Sequence, residues 1–452
     1  MDIRELSQIE RDTLATFATT GKRWWIGLGA AVAMVAVGGW AWSLALRRGL
    51  GVLGLNEPVM WGALITTFVF FIGVSHSGTL VSAILYFTRS PLRAAIGRSA
   101  EAMTVITILT AGLYPIIHIG RSWLFFYVLA YPNPRHLWPN FRSPLTWDVF
   151  AISSYVTVSA LFLYMGMLPD LALLSRRVTG WRRPLYRALS LGFSGTDAEW
   201  SLFERAYPIF AGVVIPLAVS VHSVVSWDFA MSVMPGWHSS IFAPYFVAGA
   251  IFSGIAMAIL LLSGLRRGYR LERYILPAHF ELLAKLLLGM SLVMTFTYAT
   301  EFFMAFFHGS AAEAEVFRWR PVGAYAWVFW LVVLCNSVAP LAIFWSRVRR
   351  SLPALVVISV LVSVGMWFER FMFIVTTLAH AYLPQNWGHY RPTVPEVLIV
   401  LGGFGWFFML FLLFIKIFPS MSVAETMERG HALAHGAGDE AEGGKAMEAS
   451  HA

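Results

Sequence analysis

The sequence predicts an all-α polytopic membrane protein, and three observations carry that reading. Of 452 residues, 58% are hydrophobic and only 13% charged, a balance too apolar for a soluble chain of this length. A helix needs about twenty apolar residues to cross the hydrocarbon core of a bilayer. Ten such runs occur, at roughly 24–46, 59–88, 98–120, 147–174, 206–226, 241–263, 283–308, 321–345, 353–382 and 396–418. The connections between them are sorted by charge. With the N-terminus in the cytoplasm, 24 of the 33 Lys and Arg residues fall on the inner side and eight on the outer, leaving Arg370 within a helix. That is the asymmetry of positive-inside insertion.

Along the chain, residues 1–23 form a mixed-charge cytoplasmic arm with Asp2, Glu5, Glu10 and Asp12, unlike the basic start of a cleaved signal peptide. The ten runs fill a membrane domain over residues 24–420. Between the third and fourth lies "HIGRSWLFFYVLAYPNPRHLWPNFRSPLTWD", residues 118–148, an outer-side stretch dense in aromatics, prolines and ionisable groups. Its end, "SPLTWD", also reads as a helix start. The longest inner connection, about 175–205, is basic and carries a Gly-Thr-Asp turn signal. Residues 421–452 are rich in Ala, Gly and acidic residues without an apolar period, which predicts a disordered cytoplasmic tail. None of these pieces can house a redox domain, so any such domain belongs to another chain. The net charge of +8 reports attraction to an anionic inner leaflet and gives no support to nucleic-acid binding. The expected location is the bacterial inner membrane, multi-pass, with both termini cytoplasmic.

Cysteine usage removes several redox options. The single cysteine, Cys335, cannot supply the roughly four thiolates of an iron–sulfur cluster or form an internal disulfide. Six histidines at membrane depth or its edge, His76, His118, His222, His238, His308 and His380, each sit on a different segment. They show no repeated spacing, so neither haem nor a metal site is expected in this chain.

Ionisable groups inside apolar runs cost a few kcal/mol each at the bilayer centre and are functional by default. Here they are His76, Glu101, His118, Asp148, Asp170, His222, Glu301, Glu369 and Arg370. His76, in "GVSHSGTL", is either a core histidine between small-residue helix contacts or part of a proton path. Glu101 lies a turn inside the inner surface, within range of Arg93 or Arg98. Asp170 is near the same face, with Arg176 or Arg177 as partners. Glu369 and Arg370 are adjacent and point in different directions, so each is expected to find a partner on another segment, Glu301 among them.

The outer-side constellation draws on several segments. His118 and Arg121 end the third run, Asp148 starts the fourth, His222 and Asp228 end the fifth in "SVHSVVSWDFA", and His238 starts the sixth in "MPGWHSSIFAPYF". A carboxylate and an imidazole at the rim of an aromatic slot suit a quinol. Its ring needs apolar walls, its hydroxyls need acceptors, and its oxidation needs groups that take protons. Histidine titrates near neutral pH.

The blocks "GVSHSGTLVSAILYF", "RSAEAMT", "YPIIHIGR", "YPNPRHLWPNFRSPLTWDVFAISSY", "LFLYMGMLPDLALL", "SVHSVVSWDFA" and "MPGWHSSIFAPYFVAGAIFSG" resemble the large membrane subunits of bacterial alternative complex III, in the NrfD/polysulfide reductase family. The resemblance covers about residues 58–420. It implies two four-helix bundles with flanking first and last helices, and menaquinol as substrate with no redox centre in the chain itself. It implies as partners a periplasmic iron–sulfur subunit, a homologous NrfD-like membrane subunit, haem c subunits and a terminal oxidase or other acceptor. Carried to matching positions, the quinol site implies His118 and Asp148 with Arg121 and Arg142 close by. His76, Glu101, Asp170, Glu301 and Glu369 would line proton routes. Such complexes carry two homologous subunits, so the alternative is a structural or proton-translocating homologue that binds no quinol. One departure is that the chain reads "LLSRR" after the Pro-Asp pair, where the resemblance implies "LRDR". A secondary transporter would instead place its polar site near the midplane of broken helices.

Overall fold

The computed structural model describes residues 20–87, 92–129, 141, 143–269 and 271–422. Most of the expected arm and tail, residues 1–19 and 423–452, lie outside them. Among the described residues, ten helices are long and apolar enough to cross a membrane. They are α1 (Lys22–Arg48), α2 (Ala63–Phe87), α3 (Leu92–His118), α4 (Pro144–Ser175), α5 (Asp197–Ala230), α6 (Phe242–Gly268), α7 (Pro277–Phe307), α8 (Ala326–Phe344), α9 (Leu352–Ala379) and α10 (Val394–Ile417). No strand occurs among the described residues. In a bilayer core only such helices, or closed barrels, satisfy every backbone polar group.

Local chemistry sets the ends. α1 finishes with Arg47 and Arg48 and stops at Gly49, whose φ of +83° is a conformation that favours glycine. α4 begins with Pro144 in its first turn behind Ser143, where the missing N–H costs nothing. α5 opens with a capping box: Thr196 Oγ1 accepts from the Glu199 N–H and the Glu199 carboxylate accepts from the Thr196 N–H, filling two donors the helix cannot satisfy itself.

Helices α2 to α5 form one four-helix bundle and α6 to α9 a second. The two meet where α2 and α5 pack on α6 and α2 packs on α9, while α1 and α10 pair with each other and α10 lies along α3. Small residues permit the closest approaches. A Cβ at Gly254 of α6 would overlap Ser77 of α2, and Gly38 of α1 lies against Gly402 of α10. α2 is enclosed nearly throughout, whereas α7 turns Phe296, Phe303 and Phe307 outward, as a lipid-facing helix should.

Candidate functional site

A cavity of about 360 Å³ opens where α3 ends, α4 begins and α5 finishes. Its walls are mostly apolar, from Ile65, Phe68 and Val69 on α2, Pro115 and Ile116 on α3, and Val149 and Ile152 on α4. Its polar lining comes from His118, Asp148, Asp228 and Ser153. Pro115, inside the last turn of α3, cannot donate to the helix ladder and lies three residues before His118. The chain beyond α3 folds into a 3-10 turn, Ser122–Val128, which lays Phe125 and Val128 over the cavity. Two hydrogen bonds hold this cover: Ser122 Oγ donates to the Ile116 carbonyl at 2.7 Å and Thr146 Oγ1 to the Val128 carbonyl at 3.1 Å. On the far wall Trp61 meets Phe229 edge-on at 5.8 Å and stacks on Trp237 at 6.0 Å. The Trp237 indole N–H donates to the Phe373 carbonyl at 2.9 Å, fixing that ring across the bundle boundary.

The polar lining is under-satisfied. The Asp148 carboxyl lies within hydrogen-bonding reach of the Asp228 carboxyl. Even so, Oδ1 of each and Nδ1 of His118 are buried without a hydrogen-bond partner among the described residues. Unpaired buried polar atoms cost about 1–3 kcal/mol each, so three of them around one apolar slot mark a place for a flat ligand with hydrogen-bonding groups at its edge.

The remaining expected site residues separate. Arg121 is exposed at the start of the 3-10 turn, and His238 is exposed in the loop before α6; it is the neighbouring Trp237 that turns inward. Arg142 lies outside the described residues. His222 is fully buried away from the cavity, its ring 4.6 Å from that of His76. The His76 ring in turn donates through Nδ1 to the Ile72 carbonyl and stacks on Tyr155 at 4.5 Å.

Other buried charges pair with one another. Arg98 binds Glu101 at 3.0 Å and Asp170 at 3.3 Å, and Ser82 and Tyr207 donate to the Glu101 carboxylate at 2.6 and 3.1 Å. Arg98, one helix away, reaches Asp170 across Gly166, where a Cβ would overlap the guanidinium, a partner beyond Arg176 and Arg177, the two to which the sequence points. In the second bundle Glu369 and Arg370 pair with each other at 3.2 Å, because the long arginine side chain folds back on its neighbour. They pair in addition to meeting the other segment that the sequence leads one to expect. Tyr245 donates to Glu369, and Arg370 lies 4.4 Å over Phe246. Glu301 stands near Arg320, a fully buried guanidinium that donates to Thr377 at 3.3 Å. Burial lowers the Arg320 pKa, and the charges of Glu301 and Glu313 work against that shift.

Sequence reasoning missed Trp61 and Phe229 as walls, with Trp237 packed behind them, and the glycine seats of Arg98 and Arg370, Gly166 and Gly249. The only signal for the walls was aromatic density at the outer ends of the runs.

The profile of the family described as "Polysulphide reductase, NrfD" matches residues 51–380, the stretch that holds both bundles up to the end of α9. The chain belongs to the NrfD family. Among relatives of this NrfD chain, an Archaeoglobus fulgidus protein named "Hdr-like menaquinol oxidoreductase integral membrane subunit" is 25% identical over 94% of the chain and 99% of its own length. A Halobacterium salinarum protein, named as a putative membrane subunit of dimethyl sulfoxide reductase, is 30% identical over 56% of the chain, and the match spans about half, 53%, of that relative. A selenate reductase subunit from Mesobacillus selenatarsenatis is 22% identical over 86% of the chain and 92% of its own.

Proposed function

We propose that this NrfD-family chain is the quinol-binding membrane subunit of a multisubunit oxidoreductase of the alternative complex III type, and that the cavity at the end of the first bundle takes the menaquinol headgroup. The observation that carries this is the meeting of His118, Asp148 and Asp228, each with a polar atom unpartnered among the described residues, in one apolar slot. The name of the Archaeoglobus relative, which matches over nearly the whole chain, supports the same substrate.

Quinol oxidation releases two electrons and two protons. The hydroxyls donate to His118 and to the Asp148/Asp228 pair, and those groups take the protons as the ring becomes quinone. Two carboxyls in contact can share a proton and act as a unit. The electrons leave to an iron–sulfur subunit, because one cysteine cannot hold a cluster, and then pass to haem c subunits and a terminal acceptor. The charge asymmetry of the sequence puts the cavity on the outer face, so that partner docks from the periplasm over Ser122–Val128. The complex also holds a second, homologous membrane protein. Below the cavity, the first bundle carries a line of polar groups through His222, His76, Tyr155, Thr79, Ser82, Glu101 and Asp170, which suits proton movement. Glu301 and Glu369 stand apart from that line, in the second bundle.

Asp148→Asn keeps the shape and removes a proton acceptor. The purified complex should still assemble while menaquinol oxidation falls at least about tenfold, roughly 1.4 kcal/mol in the barrier. Oxidation at the unaltered rate would return the chain to the role of a non-catalytic homologue.

A further inference from the structure

A second cavity, of about 780 Å³, opens at the opposite end of the protein between the start of α1 and the ends of α6 and α10. Apolar side chains line its length, among them Met34, Leu261, Leu265, Phe408 and Leu412. Its floor is bare backbone where α6 passes, since a Cβ at Gly264 or Gly268 would meet nothing within 4 Å. The mouth is cationic. Lys22 and Arg23 stand there exposed, and Lys416 holds its ammonium 5.7 Å from the Trp24 ring and 5.1 Å from the Tyr269 ring. The Tyr269 hydroxyl is buried without a hydrogen-bond partner among the described residues, and burial pushes its pKa up to about 12, so it remains a donor. No acidic side chain appears among the described lining residues.

An apolar slot running along the helices, closed at one end by cations and by Trp and Tyr at interface level, matches an amphiphile with an anionic head. Basic pockets between membrane helices on the cytoplasmic side are of this kind. We propose that this slot binds an anionic phospholipid, with its phosphate at Lys22, Arg23 and the Tyr269 hydroxyl and its acyl chains against Gly264, Gly268 and Phe408. The assignment to the inner leaflet rests on the charge-derived orientation. The site itself is independent of the quinol reading, whose failure would leave it standing.

The test uses the full-length chain in its purified complex, reconstituted in nanodiscs of phosphatidylcholine doped with phosphatidylglycerol, then extracted and washed. Lipid retained by the protein is quantified by mass spectrometry. Phosphatidylglycerol should be enriched over the nanodisc ratio, and excess glycerol phosphate should fail to displace it, because the acyl chains contribute to binding. The double variant K22Q/R23Q should lower the enrichment about tenfold. Gly264→Phe, which fills the slot without touching a cation, should abolish it. Retention at the bulk ratio, enrichment that survives either change, or displacement by glycerol phosphate overturns the proposal.

Discussion

The cavity of the first bundle and the Glu369–Arg370 pair of the second both bury acids within the membrane, but they treat them differently. In the second bundle Glu369 is held by Arg370 and Tyr245, and the two charges close on one another, although Glu301 in the same bundle keeps Oε1 without a hydrogen-bond partner among the described residues. Around the cavity Asp148, Asp228 and His118 keep atoms that are unpartnered among the described residues and border an apolar slot. The first arrangement is what a buried charge needs to persist in a low-dielectric core. The second is costly unless a ligand completes it. Burial of ionisable groups alone therefore does not locate a site; the state of their partners does.

Breaking the closed arrangement should cost most. Glu369→Ala leaves Arg370 buried without its ion-pair partner, with only the more distant Glu301 to offset it, a loss of about 3–5 kcal/mol, read as a lower unfolding temperature of the purified protein in detergent or as loss of the chain from the membrane. A variant as stable as wild type would dissolve the contrast. Gly166→Ala should come next. Its methyl group would push the Arg98 guanidinium off the Gly166 carbonyl and Asp170, at about 1–3 kcal/mol by the same measurement. Asp228→Asn should be mildest, within about 1 kcal/mol in stability, because that carboxyl faces the cavity and, among the described residues, no cation. A destabilisation as large as that of Glu369→Ala would show that Asp228 belongs to a structural network.

Fold class was legible because apolar length alone marks a membrane helix, whatever the packing. The bundle arrangement was not in the composition and entered through the resemblance. His118 and Asp148 were legible because they bracket a proline- and aromatic-rich connection that joins two helix ends at one face. Proximity in sequence groups His222 with Asp228, but six residues of helix separate them by about 9 Å along the axis and turn them to different faces. Depth and azimuth together send His222 to His76 and leave Asp228 at the cavity. The Arg98–Asp170 pair depended on Gly166 letting two helices approach, a contact between segments that spacing within either one does not encode. The motif around His238 points to that histidine, whereas the packing uses its neighbour Trp237.

The central claim, that the cavity at the end of the first bundle binds quinol, is tested most directly by filling it. Gly112 lines the cavity, and a Cβ there would meet nothing within 4 Å, so Gly112→Leu occupies the slot while leaving His118, Asp148 and Asp228 unchanged. Titration of the purified complex with a menaquinone analogue, followed by tryptophan quenching, should show affinity at least about tenfold weaker than wild type, roughly 1.4 kcal/mol, with the complex intact. Binding at wild-type affinity by a folded Gly112→Leu complex would contradict the account and place the quinol elsewhere.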